Sequence, residues 1–198
     1  VKKIPTVFRR NPEDPRHVTG EVHPECQWVL DGEGVATRKY DGTCVMRGGD
    51  GSWWARREVK AGKTPPPGYE PVEIDEFTGK TMGWEPAEQS SFWKFLHEAI
   101  PTIKRPERWA FPVDTYELIG PKINGNPENV PGHCLVRHHD AIRVTLPVKL
   151  DYETCKQTLL RLSRVGWEGI VWHHPDGRMA KLKGRDFASD KASDRGRP

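Results

Sequence analysis

The tightest constraint on this chain is that its apolar residues come in strand-length runs separated by segments rich in glycine and proline. Residues 34–46, 52–59, 115–119, 134–144, 169–173 and 179–182 concentrate the β-branched, aromatic and aliphatic side chains, and segments of that length and composition read as β-strands. Two stretches have helical spacing instead. In residues 91–100, Phe92, Phe95, Leu96 and Ala99 share one face, and Pro101 stops the run. The second starts from Asp151 as N-cap, sets Tyr152, Cys155, Leu159 and Leu162 along a stripe, and ends with Gly166 just past its C-terminus. Residues 62–71, with three consecutive prolines, and residues 120–132, rich in Asn, Pro and Gly, are expected to be surface loops. Such a pattern predicts an α+β fold of antiparallel sheets with flanking helices. We expect one domain over residues 1–187 and a polar, flexible tail over residues 188–198.

Composition narrows the function classes. With 198 residues, 35% hydrophobic and 30% charged, the chain suits one globular core rather than two full-sized domains. No apolar run approaches the roughly 18–20 residues that span a bilayer, and the first residues lack the apolar core of a signal peptide, so no membrane partner is expected. Cys26, Cys44, Cys134 and Cys155 are widely spaced and form no CxxC pair. Neither a disulfide framework nor a zinc module is therefore predicted, and a reducing cytoplasm is the expectation. The net charge is only +3. Arg9, Arg10, Arg56, Arg57, Lys60, Lys63, Lys181, Lys183 and Arg185 nevertheless flank the motifs described next, which leaves a local polyanion-binding surface open.

The most specific local signal is Lys39-Tyr40-Asp41-Gly42-Thr43, a turn between two strand-like runs. A lysine amine attacks phosphorus only in its neutral form, which neighbouring cations and partial burial favour. Downstream come Arg56-Arg57, Tyr116-Glu117-Leu118-Ile119-Gly120, Glu168-Gly169-Ile170-Val171 and Lys181-Leu182-Lys183, each in a strand-like context. In Lys181-Leu182-Lys183, strand alternation places both amines on one face and the leucine in the core.

Taken in this order, the motifs resemble those of the covalent nucleotidyltransferases, the superfamily of DNA ligases, RNA ligases and RNA capping enzymes. KYDG looks like the nucleophile motif, and YELIG, the segment ending His138-His139-Asp140, EGIV and KLK are similar to the four that follow it. YELIGPKINGN and KYDGTC further resemble minimal RNA ligases of phages, bacteria and vertebrates. The resemblance implies a nucleotidyltransferase (ATP-grasp-like) domain, and with 15 residues after Lys183 no C-terminal OB domain is expected. It also implies an ATP-dependent RNA ligase in which Lys39 carries AMP, joining RNA 5'-phosphate and 3'-hydroxyl ends with Mg²⁺ or Mn²⁺. Lys181 and Lys183 would meet the α-phosphate. Glu168 would bind the metal or its waters, and Glu117 would accept a hydrogen bond from the ribose.

One of Arg56 and Arg57, with Arg56 preferred, would contact ribose or a substrate phosphate. His139 stands where related ligases stack an aromatic ring on adenine, with His138 expected on the opposite face, and Cys44 stands where some phage ligases have Asn. Simpler alternatives are solvated edge-strand lysines for Lys181 and Lys183, a solvated carboxylate for Glu168 and a structural ion pair for Glu117. Trp53, Trp54, Trp84, Trp93 and Trp172 are expected to fill the core or cover a pocket rather than stack on RNA. A DNA nick ligase, a capping guanylyltransferase and a non-catalytic RNA-end-binding module remain alternatives for the whole.

Overall fold

The computed structural model describes residues 3–76, 78–100 and 112–187. Pro101 and the tail from residue 188 onward lie outside them. Along the chain run β1 (Phe8–Arg10), β2 (Val18–Val22), α1 (Gln27–Leu30), β3 (Val35–Lys39), β4 (Thr43–Arg47), β5 (Trp53–Val59), β6 (Glu70–Ile74), β7 (Thr81–Pro86), α2 (Trp93–Ala99), β8 (Asp114–Ile119), β9 (Cys134–Arg137), α3 (Tyr152–Arg164), β10 (Gly169–His173) and β11 (Met179–Lys183). Every strand pairing within the sheets is antiparallel. The fold is therefore α+β, with antiparallel sheets and few helices.

The chain divides into two compact units, one comprising residues 1–3 and 40–141, the other residues 4–39 and 142–198. One boundary falls between Lys39 and Tyr40, inside the KYDG turn.

In the first unit, six strands pair in the order β6-β7-β5-β4-β8-β9. Alternation sends Val45, Ala55, Tyr116, Leu118 and Leu135 to one face, where they pack with Leu96 and Ala99 of α2 and, partly buried, Phe92 and Phe95. The expected apolar helix face is thus the one that meets the sheet. Trp53 and Trp84 are buried, while Trp54 and Trp93 are partly exposed.

The second unit holds the pair β1-β2 and the three-stranded sheet β11-β10-β3. Its core joins Ala36, Ile170, Trp172, Ala180 and Leu182 from the sheet to Cys155 and Leu159 of α3, with Tyr152 and Leu162 partly buried beside them. β10 is the middle strand, and its first four residues are all buried, which accounts for its unbroken apolar run. α3 opens on a capping box between Asp151 and Thr154. It closes at Val165, after which Gly166 takes φ 81°, the left-handed conformation that ends helices at little cost in glycine.

Two sequence expectations need correction. The run over residues 134–144 is a strand only to Arg137, after which His138–Asp140 form a 3-10 turn. His138 and His139 therefore do not alternate across a strand. Residues 34–46 form two strands, β3 and β4, with the KYDG turn between them, as the sequence predicts. The loop expected over residues 62–71 ends earlier, because Glu70 and Pro71 already belong to β6. That strand is an edge, where a proline without an N–H is tolerated.

Candidate active site

The second unit gathers the lysines. Gly169 of β10 pairs with Lys39 of β3 on one side and Lys183 of β11 on the other. Lys39, Lys181 and Lys183 therefore occupy the sheet face opposite Ala36, Ile170 and Leu182. Leu182 is fully buried, as the alternation argument required.

A glycine at position 169 is a spatial necessity, since an added Cβ would lie 2.2 Å from the Leu182 carbonyl oxygen and 2.9 Å from Lys183 Cα.

Glu168, one residue before β10, is the anion at this point. Its Oε2 lies 2.6 Å from Lys39 Nζ, and its Oε1 accepts a very short hydrogen bond from Lys183 Nζ. Arg185 Nη2 stands 3.5 Å from the same oxygen. The Glu168 side chain is only 7% exposed. Burial alone would raise the pKa of its carboxyl, but the charge of Lys39 and the hydrogen bonds from Lys183 and Lys39 outweigh burial and hold it below the usual value.

Next to the lysines lies a cleft of about 570 Å³ lined by Arg10, Arg16, His17, Lys181, Lys183 and Arg185, with Asp186 on its wall. Asp186 is 2% exposed and is held by Arg10 at 2.8 Å and by the Lys183 amide at 2.8 Å. Sequence reasoning placed Arg10 only among flanking cations and did not single out Arg16, His17 or Asp186. These come from the β1–β2 region and the turn after β11, which carry no motif.

Whether this donor set suits Mg²⁺ or Mn²⁺ follows from its charges. Glu168 supplies one hard carboxylate, but Lys39, Lys183 and Arg185 already surround it. A dication fits there only if further oxygen ligands come with it, as when Mg²⁺ is shared between one carboxylate, waters and substrate phosphates.

The first unit carries the other predicted residues. Glu117, 9% exposed, lies on β8, where its Oε1 accepts from the Gly42 amide (3.1 Å) and its Oε2 contacts His138 Nε2 (3.0 Å). Gly42 approaches so closely that a Cβ would sit 2.3 Å from the Leu118 carbonyl oxygen. Asn124 donates to Asp41 Oδ1 and to the Gly42 carbonyl, and the Asp41 amide donates to Glu128 Oε1 (2.8 Å). The loop over residues 120–132 thus secures the end of the KYDG turn. Asn124 and Glu128 were not singled out from sequence, although Asn124 lies within YELIGPKINGN.

Arg56 is half-buried, with its Nε lacking a hydrogen-bond partner among the described residues, whereas Arg57 is exposed and 3.7 Å from Glu85. His139 is 74% exposed and contacts Asp140. His138 is the histidine bound to Glu117.

Comparison with known proteins points one way. The family model described as RNA ligase 1 matches residues 108–189. RNA ligase 1 of zebrafish (Danio rerio) is 34% identical over 73 residues, covering 34% of this chain and 22% of that protein. The matched stretch is thus about a fifth of the curated relative's length. Residues 108–189 are thus similar to the RNA ligase 1 family. The family match takes in Glu117, His138, His139, Glu168, Lys181 and Lys183 but begins downstream of Lys39.

Proposed function

We propose that this chain is the nucleotidyltransferase domain of an ATP-dependent RNA ligase, acting as a monomer with Lys39 as the nucleophile. The observation that carries the reading is the meeting of Lys39 and Lys183 at Glu168, with Lys181 on the same sheet face. Strands remote in sequence deliver two amines and a carboxylate to one point, beside a cationic cleft. Solvated edge-strand lysines would not need that register.

In this mechanism the neutral Lys39 Nζ attacks the α-phosphorus of ATP. A P–N bond forms, the bond to the bridging oxygen breaks, pyrophosphate leaves and the amine gives up a proton. An oxygen of the RNA 5'-phosphate then attacks the same phosphorus, and the P–N bond breaks to return Lys39. Finally the RNA 3'-hydroxyl, losing its proton, attacks the activated 5'-phosphate and expels AMP.

Lys181 and Lys183 hold the α-phosphate oxygens, where fixed cations stabilise developing charge. Arg10, Arg16 and Arg185 suit the triphosphate tail or the RNA phosphate, because guanidinium forks match phosphate oxygens. Glu117 accepts from the ribose hydroxyl, and Arg56 contacts ribose or phosphate. His139, already exposed, stacks on adenine. Mg²⁺ or Mn²⁺, when bound with the nucleotide at Glu168, supplies charge neutralisation at the phosphates.

Incubation with α-labelled ATP and Mg²⁺ or Mn²⁺ should leave label on the denatured protein, and Lys39→Ala should abolish it. Label that persists in Lys39→Ala removes Lys39 from the mechanism. GTP and NAD in place of ATP, then RNA against DNA ends, separate this reading from a capping enzyme or a DNA ligase. Adduct formation itself separates it from a non-catalytic RNA-end binder.

A further inference from the structure

Cys44, Glu117 and His138 present one sulfur, one oxygen and one nitrogen donor, with the ligand atoms all within 4.8 Å of one another. Cys44 on β4 is the register partner of Glu117 on β8, and His138 opens the 3-10 turn directly after β9. All three belong to the first unit. Strand alternation sets Cys44 and Glu117 on the sheet face away from Val45, Tyr116 and α2.

We propose that these three side chains form a binding site for a borderline-soft divalent ion of the Zn²⁺ class, with a fourth position open to water. Zn²⁺ takes Cys at about 2.3 Å, His at about 2.0–2.1 Å and carboxylate at about 2.0–2.2 Å. Donors around a tetrahedral ion then lie roughly 3.3–3.8 Å apart. Closing from within 4.8 Å asks for shifts of about 1 Å, which side-chain rotation supplies.

Contacts behind the donors support this assignment. His138 Nδ1 lies 2.8 Å from Thr115 Oγ1, an acceptor for the ring N–H when Nε2 binds the ion. The Gly42 amide fixes Glu117 Oε1 and leaves Oε2 facing His138. Mg²⁺ is a poor occupant, because it prefers an all-oxygen shell. The spacing of histidines and cysteines along the chain gives no sign of the site, because two strands and a 3-10 turn remote in sequence assemble it.

The site touches the proposed activity at one residue. With Oε1 on the Gly42 amide, Glu117 offers its Oε2 either to the ion or to a ribose hydroxyl, so Zn²⁺ should compete with ATP, and this part alone rests on the nucleotide reading.

Co²⁺ titration of the full chain, without nucleotide, tests the site. We expect one ion per chain, with a near-ultraviolet thiolate-to-cobalt charge-transfer band that Zn²⁺ displaces. Cys44→Ser should abolish the band while Cys134→Ser keeps it. His138→Gln and Thr115→Val should each weaken affinity by about tenfold or more, with circular dichroism confirming the fold. Absence of the band at millimolar Co²⁺, or a band that survives Cys44→Ser, overturns the proposal. As a second readout, Zn²⁺ should suppress AMP-adduct formation in wild type and fail to do so in Cys44→Ser. An intact cobalt band with no suppression upholds the metal site and removes Glu117 from ribose binding. If no adduct forms under any condition, the spectrum still decides the site.

Discussion

Neutralising Glu168 tests the electrostatics of the lysine site in isolation. Glu168→Gln keeps the shape of the side chain and two polar atoms but removes the charge between Lys39 and Lys183. Opposite charges about 4 Å apart attract by about 4 kcal/mol at an effective dielectric constant of about 20, and the cost of burying the carboxylate offsets much of that gain. Removing one member of a buried pair costs about 3–5 kcal/mol, because the partner is left without compensation. Here the lysine side chains keep 21% and 15% exposure and regain some solvation. We therefore expect a loss of about 2 kcal/mol, or about 4–8 °C in Tm for a chain of this size.

The pH dependence separates charge from packing. The folded carboxyl titrates below its ordinary 4.5. Its stabilisation is thus complete above that value and is lost as pH falls through the lower folded pKa. Thermal melts of wild type and Glu168→Gln should differ fully at neutral pH and converge in acid. Equal Tm at neutral pH, or a gap that stays constant down to about pH 3, would refute the argument.

Further outcomes follow from neighbouring features. Gly169→Ala should cost about 2–3 kcal/mol by forcing a methyl against the β11 backbone; an unchanged melting curve would mean that the strands part without penalty. Asp151→Ala should lower Tm through loss of the α3 cap. Because hydrogen bonds from Thr154 hold the Asp151 carboxyl below its ordinary pKa, that difference should also fade in acid melts below about pH 4. Burial raises the thiols of Cys26 to about 11 and Cys155 to about 12. A disulfide reagent followed by peptide mapping should label Cys44 and Cys134 in the native protein, and Cys26 and Cys155 only after denaturation. Early labelling of Cys155 would contradict the packing of α3.

The strands best read from sequence are those whose burial imposes a period. β10 is central and apolar over its first four residues, β11 alternates cleanly, and α3 is marked by both its cap and its terminal glycine. The missed strands lack that imprint. β6 is an exposed edge with the sequence EPVEI, and β1 has three residues, two of them exposed arginines. β7 carries a glycine and a proline that read as turn signals, although Gly83 has no room for a side chain beside Tyr69 and the Glu70 carbonyl. The end of β9 was misplaced for a related reason. His138 leaves the ladder to reach Thr115 and Glu117, and a polar side chain's choice of tertiary partner leaves no period in the sequence.

The candidate site divides the same way. Alternation is a local property, so the shared face of Lys181 and Lys183 was legible without coordinates. The position of Glu168 was not, because it depends on which residues of β3 and β11 lie opposite Gly169. That register has a consequence for binding order. Glu168 is one negative charge among Lys39, Lys183 and Arg185, so the immediate surroundings carry a surplus of positive charge. A divalent cation arriving alone meets repulsion from three sides and must displace an amine to reach the carboxylate. A polyphosphate meets attraction from the same groups and from Arg10 and Arg16 in the adjoining cleft. In the proposed mechanism, then, Glu168 keeps the lysines together until an anion takes its place as their partner, and the carboxylate becomes available to a metal only after that exchange.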